Sequence, residues 1–232
     1  MDRTVYINRI AKFLPGNPIN NDEMEDYLGV VDGRKSRAKA IILRNNKITN
    51  RYYSRDKEGK STHNNAELTV EAIKSLCTGG FKLDDIELLT CGTTSPDQLL
   101  PAHAVMVHGL LKSRPIESIS FSGSCCSGMN ALKYAYMSVL TGNSDNAVST
   151  GSEKLSTWMS SQSFEEEAQK LKLLEDNPII AFEKEFLRWM LSDGASATLL
   201  SNKPNPDGLS LKIEWIEICS FANEVEACMY VG

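Results

Sequence analysis

The sequence has no run of 18 consecutive apolar residues, so no segment is long enough for a transmembrane helix. Its opening residues, MDRTVYINRI, lack the apolar stretch that a secretory signal needs. Lys and Arg number 25 against 30 Asp and Glu, which gives a net charge of −5, and no basic tract is present. These absences predict a cytoplasmic protein that binds neither membranes nor nucleic acids.

The patterns of a metal site are also missing. The six cysteines are irregularly spaced and include no C-x-x-C pair, so we expect reduced thiols. Of the three histidines, His103 and His108 are five residues apart, whereas two ligands on one helical face are four apart. We therefore predict no metal site and interpret His63, His103 and His108 as core or surface residues.

The segments that are present alternate between strand and helix patterns. With 41% hydrophobic and 24% charged residues among 232, the composition is that of a globular protein. Strands are predicted in VYINRIAKFL, residues 87–91, SRPIESISF, NAVSTGSEK and SDGASATLLS, and extended structure in AIILRNNKITNRYYS and LSLKIEWIEICSF. Helices are predicted in NPINNDEMEDYLG, THNNAELTVEAIKSLCTGG, AHAVMVHGLLK and MNALKYAYMSVLTGN, the last buried on most faces. This alternation predicts an α/β fold with a mostly parallel sheet.

Two regions depart from this rhythm. Residues 155–190 are helical and amphipathic with an interruption at Pro178, which indicates either a lid or interface insertion or a solvated helical pair. The sequence stops at CMYVG, directly after a strand-like run, and we expect from this that it is truncated.

The most informative segment is FSGSCCSGMNA, where a strand gives way to a nearly uncharged helix. Cys126 has Ser124 two residues before it and Gly128 two residues after it, which is the spacing of a nucleophile elbow. The N-terminus of a helix favours a thiolate, and its unpaired N–H groups can donate to a developing oxyanion. Cys126 is therefore the candidate nucleophile.

The same spacing is compatible with two small buried hydrophobic residues at Cys125 and Cys126. Cys125 is the weaker candidate nucleophile, although Gly123 and Ser127 are also small. A disulfide between the two adjacent cysteines is not expected.

The block SGSCCSGMNALKYA resembles the active-site segment of the β-ketoacyl-acyl-carrier-protein synthase III enzymes of the thiolase superfamily. In that resemblance, Cys126 occupies the position of the nucleophile. CGTTSPDQLLPAHA is similar to the family's Thr-Thr-Ser loop, and SDGASATLL is similar to its Gly-Asp-Gly-Ala strand, with Ser192 replacing the first Gly. The three blocks follow the family's order over residues 91–200.

The resemblance implies a thiolase-like fold, in which two similar halves form αβαβα layers. Residues 1–201 would be the N-terminal half, with a helical insertion at 155–190. Residues 202–232 would start the crossover to a C-terminal half that is absent from this chain. Relatives are homodimers whose sheets join across the interface, so the resemblance also implies a homodimer.

The implied reaction is a Claisen condensation, in which Cys126 takes an acyl group and a carbanion from a second thioester attacks it. In the family, a His and an Asn from the second half polarise that thioester. None of the three histidines of this chain matches the family's positions. No bound cofactor is implied, and the substrates are phosphopantetheine-linked acyl groups on an acyl carrier protein or coenzyme A. By the resemblance, Leu100 matches a residue that lines the acyl pocket across the dimer interface. The alternative interpretation is that Leu100 is an ordinary core residue.

Relatives also hold coenzyme A with a Trp and an Arg near the front of the chain. The corresponding stretch, EDYLGVVDGRKSR, has no Trp, which favours a carrier-protein donor. Arg34, Lys35 and Arg37 are candidates for contact with phosphopantetheine, or else form a solvated basic turn.

A closer likeness is to the condensing enzymes that make dialkylresorcinols beside aryl polyene pathways. It is carried by NNDEMEDYLG, LRNN, TSPDQLLPAHAVMVHGLL and FLRWMLSDGA. The resemblance favours a condensing enzyme of fatty-acid-like, polyketide or dialkylresorcinol synthesis. Two alternatives stay open, a non-catalytic carrier-binding or heterodimer subunit and a Cys-dependent thioester hydrolase.

Overall fold

The computed structural model describes residues 3–31, 36–123, 125–163 and 185–225. Contacts divide the chain into two units. Unit 1 consists of Met1–Leu14, His63–Glu153 and Gly194–Ile218, and unit 2 consists of Pro15–Thr62, Lys154–Asp193 and Cys219–Gly232. Within the described ranges, no helix has the length and apolar character needed to cross a bilayer.

The order of elements along the described chain alternates as predicted. The strands are β1 (Tyr6–Phe13), β2 (Ile19–Asn20), β3 (Asn50–Arg51), β4 (Leu88–Thr93), β5 (Glu117–Ser122), β6 (Asn146–Glu153), β7 (Gly194–Ser201) and β8 (Leu211–Lys212). The α-helices are α1 (Met24–Leu28), α2 (Arg37–Asn46), α3 (Asn65–Lys74), α4 (His103–Leu111) and α5 (Ser127–Thr141).

Unit 1 contains a six-stranded sheet in the order β5-β4-β6-β7-β1-β8. Strand β4 pairs in parallel with β5 and β6, whereas β7 is antiparallel to β6 and β1, and β1 is antiparallel to β8. The sheet is therefore mixed, and the prediction of a mostly parallel sheet is wrong. Alternating apolar residues report which face of a strand is buried, but they carry no information on its direction.

The sheet of unit 1 lies between two helical layers. Every residue of β4 is buried, and successive side chains point to opposite faces. Leu89 and Cys91 pack in the same apolar cluster as residues of α3 and α4. Leu88 packs instead with Ala135 and Val139 of α5. Among the described helices of unit 1, this α/β arrangement places α5 by itself on one face of the sheet.

The ends of α3 and α5 follow from local chemistry. The Asn64 side chain accepts from the Glu67 N–H, and the Glu67 carboxylate accepts from the Asn64 N–H, which forms a capping box. Helix α3 ends at Lys74, about one turn before the predicted stop at Gly79. Helix α5 ends at Gly142 as predicted, because this residue adopts a left-handed conformation with φ of 82°.

The prediction that α5 is buried on most faces is wrong within the described structure. Its fully buried residues include Ala131, Ala135 and Val139, which recur every four positions and so form one stripe. Met129 and Met137 are 45% and 51% exposed. Small side chains thus let α5 approach the sheet closely on one face, while larger apolar side chains stay outside.

Unit 2 packs α1, α2 and a helical segment at residues 185–190 around its own apolar cluster, while β2 and β3 form a short antiparallel pair. The extended structure predicted for AIILRNN is wrong, because these residues belong to α2. The Ser36 hydroxyl accepts from the Lys39 N–H at 3.1 Å and starts the helix, and Lys47, with φ of 59°, ends it. The two β-branched residues Ile41 and Ile42 favoured a strand, but capping and packing outweighed them.

Two predicted segments, 155–190 and LSLKIEWIEICSF, agree with the structure only in part. Of the predicted insertion 155–190, residues 161–163 and 185–190 are helical, and 164–184, including Pro178, lie outside the described residues. Of LSLKIEWIEICSF, Leu211–Lys212 forms β8 and the remainder has no strand pairing, so the extended segment is shorter than predicted. The division of the chain at residue 201 stays a prediction.

Candidate active site

Cys126 lies between the end of β5 and the start of α5, where it is the N-cap residue of the helix. The turn reverses direction through Gly123, with φ of 141°, and Cys125, with φ of 52°. A left-handed conformation is unfavourable for a residue with a β-carbon, and such strain is often found at functional sites. The structure therefore shows the sharp turn that the small residues predicted, although Ser124 lies outside the described residues.

Cys125 and Cys126 are both exposed, so the interpretation as two buried hydrophobic residues is wrong. The Cys126 carbonyl accepts from the Asn130 N–H at 2.9 Å and makes the first bond of α5. The N–H groups of Ser127, Gly128 and Met129 precede this bond and have no acceptor within the helix. Cys126 thus lies beside backbone donors at the positive end of a 15-residue helix, an arrangement that can stabilise a developing oxyanion.

Three glycines let the start of α5 lie directly on the sheet. A β-carbon added to Gly92 of β4 would be 2.3 Å from the Ser127 carbonyl oxygen and 2.5 Å from the Gly128 nitrogen. A β-carbon on Gly128 would meet Gly151 of β6 at 3.5 Å. The Thr90 hydroxyl adds a hydrogen bond of 3.0 Å to the Ala131 carbonyl one turn further along. Backbone contacts therefore hold the residues that follow Cys126.

A polar network joins the carboxyl ends of the three parallel strands. Glu153, at the end of β6, accepts from the Thr94 N–H at 2.8 Å and from the Ser95 hydroxyl at 2.6 Å. The Thr94 hydroxyl donates to the Gly123 carbonyl at 2.9 Å. This network connects the loop after β4 with the turn that carries Cys126. The sequence offered no periodic signal for it, because the three partners are far apart along the chain.

Cys91 and Cys77 are less exposed than Cys126. Cys91 is fully buried in β4, and burial raises the pKa of its thiol to about 12, with a smaller opposing effect from a hydrogen bond to Thr150. Burial also raises the pKa of Cys77. None of the five described cysteines forms a disulfide. Since the thiolate is the reactive form, Cys91 and Cys77 are poor nucleophiles.

The three histidines occupy core and surface positions, as predicted. His103 is 2% exposed, and its Nε2 lies 3.3 Å from the hydroxyls of both Thr69 and Ser152. Burial lowers the pKa of His103, with an opposing effect from Asp97. His108 Nε2 contacts the Arg114 carbonyl at 3.0 Å, and the ring of His63 packs on Phe13. Among the described residues, no group of three or more His, Cys, Asp or Glu side chains could hold a metal ion.

Leu100 is 84% exposed and its neighbour Leu99 is 88% exposed, in the segment between β4 and α4. The interpretation of Leu100 as an ordinary core residue is therefore wrong, and its role in an acyl pocket stays a prediction. Arg34, Lys35 and the side chain of Arg37 lie outside what the structure describes, so their contact with phosphopantetheine also stays a prediction.

Asp193, in the SDGA motif, has a role in unit 2 that sequence reasoning missed. Its carboxylate accepts from the Ser54 N–H at 2.6 Å, from the Leu155 and Ser156 N–H groups at 2.7 and 2.8 Å, and from the Ser156 hydroxyl at 2.5 Å. The Ser192 hydroxyl accepts from the Tyr52 N–H at 2.8 Å and donates to its carbonyl at 3.0 Å. Both residues thus fasten backbone segments that are distant in sequence.

A family model described as "Beta-ketoacyl synthase, N-terminal domain" matches residues 117–205, a range that includes Cys126. Among curated proteins, a Beta-ketoacyl-[acyl-carrier-protein] synthase III of Clostridium perfringens is 28% identical over 145 residues, which cover 62% of this chain and 41% of that protein. A synthase III from Bacillus anthracis is 26% identical over 153 residues, which cover 66% of this chain and 46% of that protein. The chain therefore spans less than half the length of these relatives.

Solved structures agree on the fold. The tetronic acid condensing enzyme AbyA1 has a TM-score of 0.64 at 20% identity, over 88% of this chain and 54% of that one. The OleA protein of Xanthomonas campestris has a TM-score of 0.65 at 18% identity, over 86% and 57%. The 3-oxoacyl-(acyl carrier protein) synthase III of Pseudomonas aeruginosa has a TM-score of 0.63 at 17% identity, over 90% of this chain and 55% of that one. At these identities the likeness establishes the thiolase-like fold.

Proposed function

We propose that this chain, which has a thiolase-like fold and is similar to the N-terminal domain of β-ketoacyl synthases, is the nucleophile-bearing part of an acyl-thioester condensing enzyme. The observation that carries the proposal is the exposed Cys126 at the N-terminus of α5, within the range that the family model matches. A non-catalytic subunit would have no need of an exposed thiol at this position.

In the proposed first half-reaction, the Cys126 thiolate attacks the carbonyl carbon of an acyl thioester. The new C–S bond forms as the carrier's C–S bond breaks, and the carrier leaves as a thiolate that takes up a proton. The N–H groups at the start of α5 donate to the oxyanion of the tetrahedral intermediate. Their positions are fixed before the reaction by the backbone contacts at Gly92 and Gly151, so stabilising the charge requires little rearrangement.

In the proposed second half-reaction, a carbanion from another thioester attacks the acyl-Cys126 carbonyl, and the Cys126 thiolate is released as the carbon–carbon bond forms. The family resemblance assigns activation of that thioester to a His and an Asn in a C-terminal half. We propose that residues 1–201 are the N-terminal half, that 202–232 lead towards the second half, and that such a half completes the site.

The proposed substrates are acyl groups linked through phosphopantetheine to an acyl carrier protein or to coenzyme A. The curated relatives are named as acyl-carrier-protein enzymes, and the missing front Trp favours the carrier protein here. Within this class, the NNDEMEDYLG and TSPDQLLPAHAVMVHGLL stretches favour an enzyme of dialkylresorcinol synthesis. No bound cofactor is proposed.

We also propose a homodimer that forms along β5. This strand is at one edge of the six-stranded sheet, where a second copy can extend the hydrogen-bond ladder. Leu99 and Leu100 project from the loop that follows the adjacent β4. Burial of these two side chains against a second copy would stabilise the dimer and allow Leu100 to line the partner's acyl pocket.

Intact-mass spectrometry tests the first half-reaction. The chain is incubated with acyl carrier protein and, separately, coenzyme A carrying the same acyl group, and the covalent acyl adduct is measured. We expect an adduct on the wild type and on Cys125→Ala, and none on Cys126→Ala. An adduct that persists in Cys126→Ala contradicts the assignment.

Other outcomes separate the alternatives. Tight carrier binding without any adduct favours the non-catalytic subunit. An adduct that hydrolyses within minutes, in the absence of a second thioester, favours the hydrolase. Circular dichroism of each variant checks that the fold is retained.

A further inference from the structure

Unit 2 contains a cavity of about 390 Å³ that the proposed chemistry at Cys126 does not use. Small-molecule sites in proteins measure roughly 300–1,000 Å³, so this cavity is large enough for a small organic ligand. Two cationic side chains and four hydroxyls contribute to its lining: Arg55, Lys154, Ser61, Thr157, Ser160 and Ser163. Such a set of donors suits an oxyanion.

Arg55 is held in place by neutral carbonyl groups. Its Nη1 donates to the Ser156 carbonyl at 3.0 Å and its Nη2 to the Gly59 carbonyl at 3.5 Å. Its Nε is buried and has no hydrogen-bond partner among the described residues. Burial lowers the pKa of the guanidinium, while Asp193 and Asp56 act in the opposite direction. A bound anion would offset the cost of partly burying this cation.

Lys154 supplies the second cation of the cavity lining. Lys154 Nζ donates to the Ser61 hydroxyl at 2.7 Å. Ser61 forms a bridge with Arg55 at the base of a short hairpin, so the contact sets Lys154 beside the hairpin that carries the first cation. Gly59 turns this hairpin with φ of 84°, and a β-carbon there would be 2.8 Å from Arg55 Nη2. The hairpin is therefore built around the guanidinium.

Hydroxyls complete the donor set. Ser160 and Ser163 are 3.1 Å apart through their Oγ atoms, and the Ser163 hydroxyl also reaches the Thr157 carbonyl at 3.1 Å. Hydroxyl hydrogens can rotate towards a ligand without movement of heavy atoms. The lining thus combines two charged donors with adjustable neutral donors.

We infer that this cavity binds a phosphate group. Arg and Lys with hydroxyls are the usual protein donors for phosphate oxygens, and each Nη of Arg55 keeps a second N–H besides the one that it donates to a carbonyl. The volume leaves room for the small molecule that carries the phosphate. This inference is independent of the function proposed for Cys126.

Isothermal titration calorimetry on the full chain at low ionic strength tests the inference with inorganic phosphate, glycerol 3-phosphate and 4′-phosphopantetheine. Glycerol and pantetheine, which lack the phosphate, are the paired controls. We expect each phosphate compound to bind and each partner without phosphate to bind at least about tenfold more weakly. The tighter of the two esters identifies the source, and a preference for inorganic phosphate over both indicates a free ion.

Arg55→Gln and Lys154→Gln should each weaken phosphate binding by about tenfold or more, because each removes one charged donor. The matched control is Lys60→Gln, an exposed lysine of the same hairpin that does not line the cavity, and it should change binding less than about twofold. Lys154→Gln keeps the test valid if Arg55→Gln fails to fold.

Failure of all three phosphate compounds to bind overturns the inference. Equal loss in Lys60→Gln and Lys154→Gln also overturns it, because that result would reflect net charge alone. The Cys126→Ala chain should bind phosphate as the wild type does, so failure of the acylation assay and failure of this assay are distinguishable.

Discussion

Unit 1 and unit 2 are stabilised by different kinds of contact. In unit 1 the sheet is covered by apolar and small side chains, and at Gly92 two backbones touch with no side chain between them. In unit 2 the buried side chains include Arg51, Arg188 and Asp193, which are 1%, 3% and 2% exposed. Close backbone packing is thus a feature of the first unit beside its Glu153 network, and hydrogen bonds to buried charges are a feature of the second beside its apolar cluster.

The charges of unit 2 have specific roles in holding its backbone. Arg51 Nη2 donates to the Trp189 carbonyl at 2.7 Å, and Arg188 Nη2 donates to the Gly29 carbonyl at 2.6 Å. Arg188 also stacks near the Trp189 ring, 4.9 Å from its centroid. Removing one partner from such a set leaves a buried charge or donor unsatisfied, which is costly. The two units should therefore respond to different substitutions.

The largest effect is expected at the backbone contact of unit 1. Gly92→Ala would place a β-carbon within 2.5 Å of backbone atoms of Ser127 and Gly128, so either α5 or β4 must move. We expect the free energy of unfolding to fall by about 3 kcal/mol or more. Acylation of Cys126 should fall with it, because the start of α5 is displaced. Urea denaturation and the intact-mass assay measure the two effects.

Gly109→Ala is the matched control, because nothing lies within 4 Å of a β-carbon added to this glycine of α4. Alanine in an open helical position should leave stability unchanged or raise it by up to about 1 kcal/mol. Equal losses for the two variants would contradict close packing as the cause.

A smaller loss is expected in unit 2 from Asp193→Asn. The substitution keeps the shape of the side chain but replaces one acceptor oxygen with a donor, which then faces N–H and O–H donors. We expect the free energy of unfolding to fall by about 2 kcal/mol. Asp26→Asn, which removes an exposed ion pair with Lys57, should leave the midpoint of denaturation unchanged. A neutral effect of Asp193→Asn would show that the buried network is not what stabilises this unit.

The smallest effect concerns pH and has opposite signs in the two units. Burial lowers the pKa of His103 in unit 1 from its usual value of 6.5. As the pH falls through that value, the unfolded chain binds more protons than the folded chain, so the folded state becomes less stable. Burial raises the pKa of Asp193 in unit 2, so protonation at acidic pH favours the folded state. The wild type should lose stability between pH 7.5 and 5.5 through His103.

Denaturation of His103→Gln at these two pH values measures the contribution of this imidazole, and the variant should lose less stability than the wild type. His108→Gln is the control, because His108 lies at a more accessible position beside Arg114. A loss in His103→Gln as large as that of the wild type would assign the effect to another group.

Local signals in the sequence predicted the parts of the fold that depend on neighbouring residues. The asparagine that caps α3 and the glycine that ends α5 each act within one turn of the chain. The alternation of exposed and partly buried residues in the second half of β1 and the continuous burial of β4 are also local patterns. The helix at AIILRNN was missed, because two β-branched residues favour a strand while its cap depends on Ser36.

The sequence by itself determined that Cys126 lies on a strand-to-helix turn, because a strand pattern gives way there to a helix pattern and the small neighbouring residues tolerate a sharp turn. Only the tertiary structure decided that Gly92 and Gly151 support the start of that helix, that Glu153 fastens the turn, and that Asp193 joins three segments of unit 2. These contacts link residues 23 to 139 positions apart. Side-chain patterns encode burial and local conformation, whereas strand order and direction decide which distant residues meet.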